Sequence, residues 1–220
     1  MPLVIAMDGP SGSGKSSASK GVARALGLRY LDTGAMYRAM TWWMLDNGVP
    51  VEDGAAVAAR APEPVIVSGT DPDAPTITVD GTDVSGPIRT REVTNAVSAV
   101  SAVPAVRARL VELQREIIGA GGIVVEGRDI GTVVAPDAAV KVFLTASEEM
   151  RAQRRAKDLA ADPAASVTVT QAEQARRDRL DSTRKASPLT RADGAHEIDS
   201  TELGLADVIE AIVRLAKEHE

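Results

Sequence analysis

The segment GPSGSGKS at residues 9–16 narrows the possible folds of this chain more than any other segment. It follows a short apolar run, LVIAM at residues 3–7, and precedes a stretch of helical character that ends at Gly27. A continuous apolar run of this length is typical of a strand buried on both faces of a sheet. Gly-x4-Gly-Lys-Ser between such a strand and a helix is the pattern of a phosphate-binding loop. The alternative interpretation is a glycine-rich structural turn that binds no ligand.

The residue types of this loop suit the phosphates of a nucleoside triphosphate. Glycines allow a tight curl in which backbone N–H groups point at phosphate oxygens, and the following helix adds the positive end of its dipole. Lys15 supplies a point charge for the β- and γ-phosphates, and Ser16 offers its hydroxyl to Mg²⁺. We expect the nucleotide to contact Gly9, Pro10, Ser11, Gly12, Ser13, Gly14, Lys15, Ser16 and Ser17.

The rest of the chain alternates between strand-like and helical segments. This order predicts an α/β fold in which helices cover both faces of a mainly parallel sheet. Residues 62–87, PEPVIVSGTDPDAPTITVDGTDVSGP, differ, because short alternating strands and turn dipeptides there indicate a small antiparallel insert. We expect one domain over residues 1–220, with this insert and a helical lid at about residues 151–184.

Composition and charge limit the partners and the location that we expect. The net charge of -6 and the pI near 5.1 argue against a broad surface for nucleic acid or an anionic membrane. Cysteine is absent, and the two histidines, His196 and His219, are too far apart for a histidine metal cluster. No apolar run approaches the roughly 20 residues of a membrane span, and no signal segment opens the chain. We therefore expect a cytoplasmic protein.

Three classes of nucleotide-binding protein compete at this point. A GTPase switch carries an Asn-Lys-x-Asp sequence, which is absent here. A large ATPase motor has an apolar strand ending in two acids and a longer chain, and neither IVVEGRD nor VKVFLTA fits that pattern well. A small phosphotransferase needs a pocket for an anionic acceptor and arginines over the transferring phosphate.

Arginine spacing suits the third class. Arg151, Arg154 and Arg155 share one predicted helix, and residues 177, 181 and 184 (Arg, Asp and Arg) share one face of the next. The segment AADPAASVTV between these helices is typical of a mobile crossing, as in a lid. The alternative is a solvated helical hairpin with an Arg177–Asp181 ion pair, and spacing alone leaves both interpretations open.

Five motifs, in chain order, resemble the bacterial cytidylate kinase family. They are DGPSGSGKSS, YLDTGAMYR, DVSGPIRTREV, EGRDIGTVV and RRDRLDSTRKASPL, and they extend over most of the chain. The first motif occurs in many proteins, whereas LDTGAMYR, GRDIGT and the last motif are much more specific. The resemblance implies a P-loop kinase-type three-layer sandwich, ATP-dependent phosphorylation of CMP and dCMP, a monomer, and a monophosphate-binding insert that includes residues 62–87.

For the acceptor phosphate, the resemblance implies two arginines and a hydroxyl. Arg38 and Arg128 would hold the phosphate, and Thr33 would line the monophosphate pocket. Arg89, in GPIRTRE, either touches the acceptor or belongs only to the insert.

For the cytosine ring, the resemblance implies recognition by Ser98, Arg107 and Asp129. The chemistry is consistent, because the Asp129 carboxylate accepts from the cytosine amino group while Arg107 donates to the ring nitrogen and the carbonyl. Uracil has a carbonyl where cytosine has the amino group, so it would face Asp129 acceptor to acceptor. A pocket that leaves buried polar groups unpaired discriminates strongly.

For the ribose and the transferring phosphate, the resemblance implies residues of the lid. Asp181 with Arg177 would take the ribose hydroxyls, and Arg184 would approach the phosphate. Arg154 and Arg155 match lid arginines, so Lys15, Arg154, Arg155 and Arg184 form the expected catalytic set.

The chemistry requires alignment and charge neutralisation rather than a general base. The attacking oxygen belongs to a phosphate that is already anionic at neutral pH, and the chain offers no suitable catalytic histidine. Asp8 and Glu126 are candidates to support the metal beside Ser16, but no motif assigns them. Two alternatives stay open: a kinase for another nucleoside monophosphate, and a nucleotide-binding regulator without turnover.

Overall fold

A five-stranded parallel sheet forms the centre of the computed structural model, which describes residues 2–158 and 167–219. Its strands are β1 (Val4–Asp8), β2 (Arg29–Asp32), β6 (Ile123–Glu126), β7 (Val140–Thr145) and β8 (His196–Asp199), in the spatial order β2-β6-β1-β7-β8. Each neighbouring pair is parallel. The α/β prediction with a mainly parallel sheet is therefore confirmed.

Helices and a small second sheet complete the fold. The helices are α1 (Lys15–Leu26), α2 (Thr33–Asp46), α3 (Gly54–Arg60), α4 (Arg91–Ser101), α5 (Pro104–Ile118), α6 (Glu148–Asp158), α7 (Val167–Thr183) and α8 (Leu205–Lys217). Strands β3 (Ile66–Ser68), β4 (Ile77–Val79) and β5 (Thr82–Asp83) pair antiparallel within residues 62–87. A 3-10 turn, Pro87–Arg89, and a π-helical turn, Ile130–Val134, precede α4 and β7.

Local sequence explains where the helices nearest the sheet begin and end. Gly14, with φ of 90°, precedes α1, and Gly27, with φ of 63°, ends it while its N–H bonds to carbonyls of the last turn. At α2, the Asp32 carboxylate caps the helix by accepting from the Ala35 N–H at 2.9 Å. Each helix therefore starts directly after the carboxyl end of a strand or its loop.

Two apolar cores lie on the two faces of the sheet. Ile5 and Met7 belong to the core formed with α1 and α8, whereas Ala6 belongs to the core formed with α2, α4 and α5. Tyr30 and Leu31 of β2 divide between the two cores in the same way. Because side chains alternate along a strand, both faces of the sheet are covered and polar groups are left at its ends.

The lid prediction concerns α6 and α7, which pack against each other. Helix α7 already includes residues 167–169, so it begins within the predicted crossing segment of residues 160–169. Residues 160–166 of that crossing lie outside the described part of the chain. Among the described residues, none of the helices is long and apolar enough to cross a membrane.

Candidate active site

A cavity of about 620 Å³ opens at the carboxyl ends of the parallel strands, where ligands of open α/β sheets bind. Its wall is formed by the glycine-rich loop, the start of α2, the 3-10 turn, α4, α5, the segment after β6, and the lid helices. The lining combines two kinds of group: backbone amides and a lysine from the loop, and arginines with carboxylates from the other elements. Of the predicted site residues, the following line it: Ser11, Gly12, Gly14, Lys15, Ser16, Ser17, Thr33, Arg38, Ser98, Arg107, Arg128, Asp129, Arg154, Arg155, Arg177, Asp181 and Arg184.

Three predicted loop residues shape the loop without being part of this lining. Gly9 has φ of 144°, and a Cβ there would lie 2.1 Å from the Leu144 carbonyl oxygen, so only glycine fits against β7. The Pro10 carbonyl accepts from Lys15, and the Ser13 carbonyl accepts from Ser200 at 3.1 Å. These contacts set the curl of the loop.

Lys15 is buried and folds back over the loop. Its Nζ donates to the Pro10 carbonyl at 2.7 Å and lies 3.4 Å from Ser13 Oγ. Burial and then the charge of Arg128 lower the pKa of Lys15 to about 7, against the opposing effect of Glu126. Phosphate oxygens in the loop would supply the counter-charge that this ammonium lacks.

Glu126, at the end of β6, is the centre of a buried polar cluster beside the loop. Ser16 Oγ donates to Glu126 Oε2 at 3.0 Å, and the Tyr30 hydroxyl donates to Oε1. Parallel pairing places Asp32 of β2 opposite Glu126. Burial, followed by repulsion from Asp32, raises the pKa of Glu126 to about 7. Thr33 contacts the same residue, because its Oγ1 donates to the Glu126 carbonyl at 2.7 Å.

Asp8, at the end of β1, organises the segment after β6. Its two carboxylate oxygens accept from the N–H groups of Ile130 and Gly131, each at 2.8 Å. Burial raises the pKa of Asp8 to about 6 despite these two bonds. Asp8 is therefore engaged by backbone amides of the turn that follows Asp129, which holds that residue at the cavity.

An alternating network of arginines and carboxylates forms the wall opposite the loop. Asp129 pairs with Arg107, and its other oxygen lies 3.9 Å from Arg184. Asp181 lies 3.3 Å from Arg128 and 3.7 Å from Arg184. Asp181 is only 6% exposed and pairs with these two arginines rather than with Arg177, so the alternative of a solvated hairpin is wrong for this face.

Arg38 is a half-buried cation that contacts the 3-10 turn and α4. It donates to the Ile88 carbonyl at 3.2 Å and to Thr94 Oγ1 at 2.9 Å. Burial, and then the charges of Arg177 and Arg155, lower the pKa of Arg38 to about 9. The guanidinium groups of Arg38, Arg177 and Arg155 are therefore close enough to repel one another, which favours an anionic ligand such as a phosphate dianion.

Arg154 occupies a different position from the other lid arginines. It donates to Ser200 Oγ at 2.9 Å, to the Ser200 carbonyl at 2.7 Å and to the Ser13 carbonyl at 3.4 Å. It therefore fixes α6 to the loop and to the end of β8. Arg177, by contrast, has its pKa lowered to about 10 by burial and by Arg128, and its Nε makes no hydrogen bond within the described structure.

Sequence reasoning missed a second connection between the lid and the loop. The Asp178 carboxylate accepts from the Ser11 N–H at 3.2 Å and pairs with Arg151, which donates to the Ser11 carbonyl at 3.0 Å. Gln174 contacts the same carbonyl at 3.4 Å. Asp178 lies directly after Arg177 in the motif RRDRLDSTRKASPL, and this position was the one indication in the sequence that it belongs to the site.

Other lining residues also went unpredicted. Asp32 and Tyr37 flank Thr33 and Arg38 within YLDTGAMYR, and Arg107 lies 5.2 Å from the centre of the Tyr37 ring. Arg89 lines the cavity, which favours contact with the acceptor over a role confined to the insert.

The donor set beside Ser16 fits Mg²⁺ that is carried by a nucleotide. Within residues 2–158 and 167–219, no group of three or more His, Cys, Asp or Glu side chains could hold a metal by itself. The Ser16 hydroxyl and the Glu126 carboxylate are hard oxygen ligands, and Mg²⁺ typically combines one or two such ligands with substrate phosphates and waters.

Taken together, a phosphate loop on a parallel sheet and an arginine-lined cavity to which α6 and α7 contribute define a phosphotransferase of the P-loop kinase class. The chain matches the cytidylate kinase family model over residues 5–218. It therefore belongs to the cytidylate kinase family, and the predictions of this family and of a nucleoside monophosphate kinase are confirmed.

Individual relatives agree with this assignment. The cytidylate kinase of Streptomyces coelicolor is 61% identical over 218 residues, covering 98% of this chain and 93% of that protein. That of Mycobacterium leprae is 52% identical over 218 residues, covering 98% and 96%. A solved structure of an uncharacterized protein from Eubacterium ventriosum has a TM-score of 0.55 at 9% identity, covering 99% of both chains, and supports the fold alone.

Proposed function

We propose that this protein transfers the γ-phosphoryl group of ATP to CMP and dCMP, forming CDP or dCDP and ADP. The observation that carries the proposal is one cavity in which an Arg107–Asp129 pair and a cluster of arginines face a phosphate loop. Bound Mg²⁺ would be held by Ser16 with support from Glu126, and it would neutralise charge on the phosphates of ATP.

The donor nucleotide belongs in the loop, at residues 9–17. Backbone amides and the dipole of α1 favour its phosphates, and Lys15 gains a counter-charge when it leaves the Pro10 carbonyl. Because Lys15 is buried, its charge is weakly screened and acts strongly on the transferring group.

The acceptor belongs against the opposite wall. Arg38, Arg128 and Arg89 supply cations for its phosphate, with Thr33 at the floor of the pocket. Asp181 and Arg177 lie on α7, where they would take the ribose hydroxyls.

Cytosine recognition follows from the chemistry of the Arg107–Asp129 pair and nearby Ser98. The Asp129 carboxylate accepts from the amino group of cytosine, and Arg107 donates to the acceptors of the ring. Both side chains are about 4% exposed, so a base that left them unpaired would pay a large desolvation cost.

Transfer then depends on alignment and on exclusion of water. The acceptor phosphate is already a nucleophile at neutral pH, so no general base is required. Arg184 and Arg155 supply positive charge at the transferring phosphoryl group, and Arg154 anchors α6 to the loop. Closure of α6 and α7 limits hydrolysis of ATP by water.

The decisive experiment measures ADP release from ATP and Mg²⁺ with CMP, dCMP, UMP, AMP, GMP or no acceptor. We expect strong turnover with CMP and dCMP and slow turnover without acceptor. Lys15→Ala should abolish turnover with CMP and dCMP. Lys141→Ala, a control outside the cavity lining, should leave that turnover unchanged. Turnover with another acceptor would discard the cytosine assignment, and rapid hydrolysis without acceptor would contradict the water-excluding lid. The cytoplasmic location and the monomeric state stay predictions.

A further inference from the structure

The Tyr30 hydroxyl has no part in the function described so far. Tyr30 lies on the edge strand β2, is 1% exposed, and packs in the core formed with α1 and α8. Its hydroxyl nevertheless crosses to β6 and donates to Glu126 Oε1. A buried tyrosine hydroxyl that reaches a polar cluster has a specific partner rather than a packing role alone.

Both oxygens of the Glu126 carboxylate are thereby held by hydroxyl groups from different elements. Tyr30 of β2 holds Oε1, and Ser16 of α1 holds Oε2 at 3.0 Å. Two donors on two oxygens fix the plane of the carboxylate, which a single bond would leave free to rotate. The same carboxylate lies beside Asp32, whose negative charge would otherwise push it away.

Tyr30 itself is rigidly placed. Its backbone N–H donates to the Thr70 carbonyl of the insert at 2.9 Å, and the Lys20 ammonium lies 5.6 Å from the centre of its ring. Burial and then the charge of Glu126 raise the pKa of the phenol, so the hydroxyl keeps its proton and stays a hydrogen-bond donor.

We propose that Tyr30 is a positioning residue for Mg²⁺: its hydroxyl keeps the Glu126 carboxylate paired with Ser16, and these two groups form the protein's donor set for the metal on the nucleotide. This inference rests on the proposed donor site. It assigns Tyr30 no contact with substrate and no proton transfer.

The test is Tyr30→Phe, which removes one oxygen atom and preserves the ring. We expect the affinity of the ADP complex for Mn²⁺, measured by electron paramagnetic resonance, to fall by roughly 10- to 100-fold, the loss typical when a group outside the ligand set is removed. ADP affinity in the presence of a chelator and the KM for CMP should be unchanged. Unchanged Mn²⁺ affinity in a folded Tyr30→Phe protein would overturn the inference.

A matched control is available because the sequence holds two tyrosines. Tyr37→Phe removes the same group on the acceptor side of the cavity and should leave Mn²⁺ affinity unchanged. In a Glu126→Gln background, Tyr30→Phe should have no further effect on Mn²⁺ affinity, because the carboxylate that it positions is gone. Additive losses would show that Tyr30 acts independently of Glu126.

A spectroscopic measurement covers the case in which Tyr30→Phe does not fold. In Tyr37→Phe protein, Tyr30 is the remaining tyrosine, so metal added to the ADP complex should change tyrosine absorption in a difference spectrum. No change would overturn the inference. If CMP is not phosphorylated but the Mn²⁺ effect is present, the proposed acceptor fails and Tyr30 keeps its role.

Discussion

At the scale of single residues, Asp129 shows how one buried carboxylate can serve both packing and recognition. It is shared between Arg107 and Arg184, on α5 and after α7, and it lies at the carboxyl end of the sheet. Its carboxylate oxygens are hydrogen-bond acceptors, as recognition of an amino group requires. Asp129 therefore pairs with two arginines that line the site and, in the proposed function, also recognises the cytosine base.

Replacing Asp129 should change the selection between CMP and UMP more than it changes the conformation of the glycine-rich loop. We expect Asp129→Asn to lower kcat/KM for CMP by about 100-fold and to lower the CMP/UMP ratio of kcat/KM by about tenfold or more, because the amide presents a donor to the cytosine amino group. Steady-state kinetics with both acceptors measures the ratio. A ratio equal to that of the unmodified protein would refute the role of Asp129 in cytosine recognition.

Asp8 gives a pH-dependent prediction for stability. Its folded pKa of about 6 exceeds the ordinary value of 3.8, so the folded state binds more protons between these two values. The contribution of Asp8 to the free energy of unfolding therefore falls as pH rises through this window and levels off above about pH 7.

Urea unfolding at about pH 5.5 and about pH 8 tests this sign. From the lower to the higher pH, Asp8→Asn should gain about 1 kcal/mol relative to the unmodified protein, because the asparagine does not ionise. Asp8→Asn should also lower the free energy of unfolding by an amount that is the same at both pH values, because an amide fits the two N–H groups of residues 130 and 131 less well than a carboxylate does. A difference in stability that is independent of pH would contradict the raised pKa.

At the scale of elements, α6 and α7, the helices of the proposed lid, are anchored to the glycine-rich loop by side chains at several points. Arg154 of α6 holds the carbonyl of Ser13, and Asp178 of α7 holds the N–H of Ser11. An N–H of this loop is also a donor that a phosphate would use. The two helices are thus coupled to the loop through its backbone, and the Ser11 N–H is a group that the proposed nucleotide would also use.

Breaking the contact of α7 should therefore loosen the lid. We expect Asp178→Ala to raise hydrolysis of ATP without acceptor by roughly tenfold, since loss of a charge-assisted hydrogen bond shifts an opening equilibrium by about 1.5 kcal/mol. The assay is ADP release in the absence of CMP. Arg179→Ala changes the exposed neighbouring residue and should have no effect. Equal hydrolysis rates for the two variants would contradict the lid-anchoring role of Asp178.

At the scale of the whole molecule, helix α8 lies apart from the residues that line the cavity. The core formed with α1 and α8 includes Val208, Ile212 and Ala216, whereas none of the cavity-lining residues in the described parts of the chain lies on α8. Substitutions of buried residues on α8 should therefore change stability without changing catalysis.

Ile212→Ala tests that separation. Ile212 is fully buried, so its truncation should lower the free energy of unfolding by about 2–4 kcal/mol through lost burial and a cavity. Unfolding in urea measures the loss, and kcat at a temperature where the variant is folded should match that of the unmodified protein. A large fall in kcat of the folded variant would show that α8 influences the site through α1.

Much of the fold was predictable because its determinants are local. The buried strand before residue 9, the glycines of the loop and the end of α1 at Gly27 each reflect conformational preferences of a few neighbouring residues. The alternation of strands and helices then leaves few topologies, which is why the parallel sheet could be predicted. Helix α7 was harder, because its start depends on a segment with weak periodicity.

Pairing within the site was not predictable in the same way. Spacing along α7 suggested an Arg177–Asp181 pair, but tertiary packing pairs Asp181 with Arg128, 53 residues away in the chain. Glu126 lies opposite Asp32 because of the register of two parallel strands. Asp178 accepts a hydrogen bond from Ser11, 167 residues away in the chain. Local patterns in the sequence establish the loop, the fold class and the charged groups available to the site. Which of these charges pair with one another depends on strand order and packing, and local patterns do not encode either.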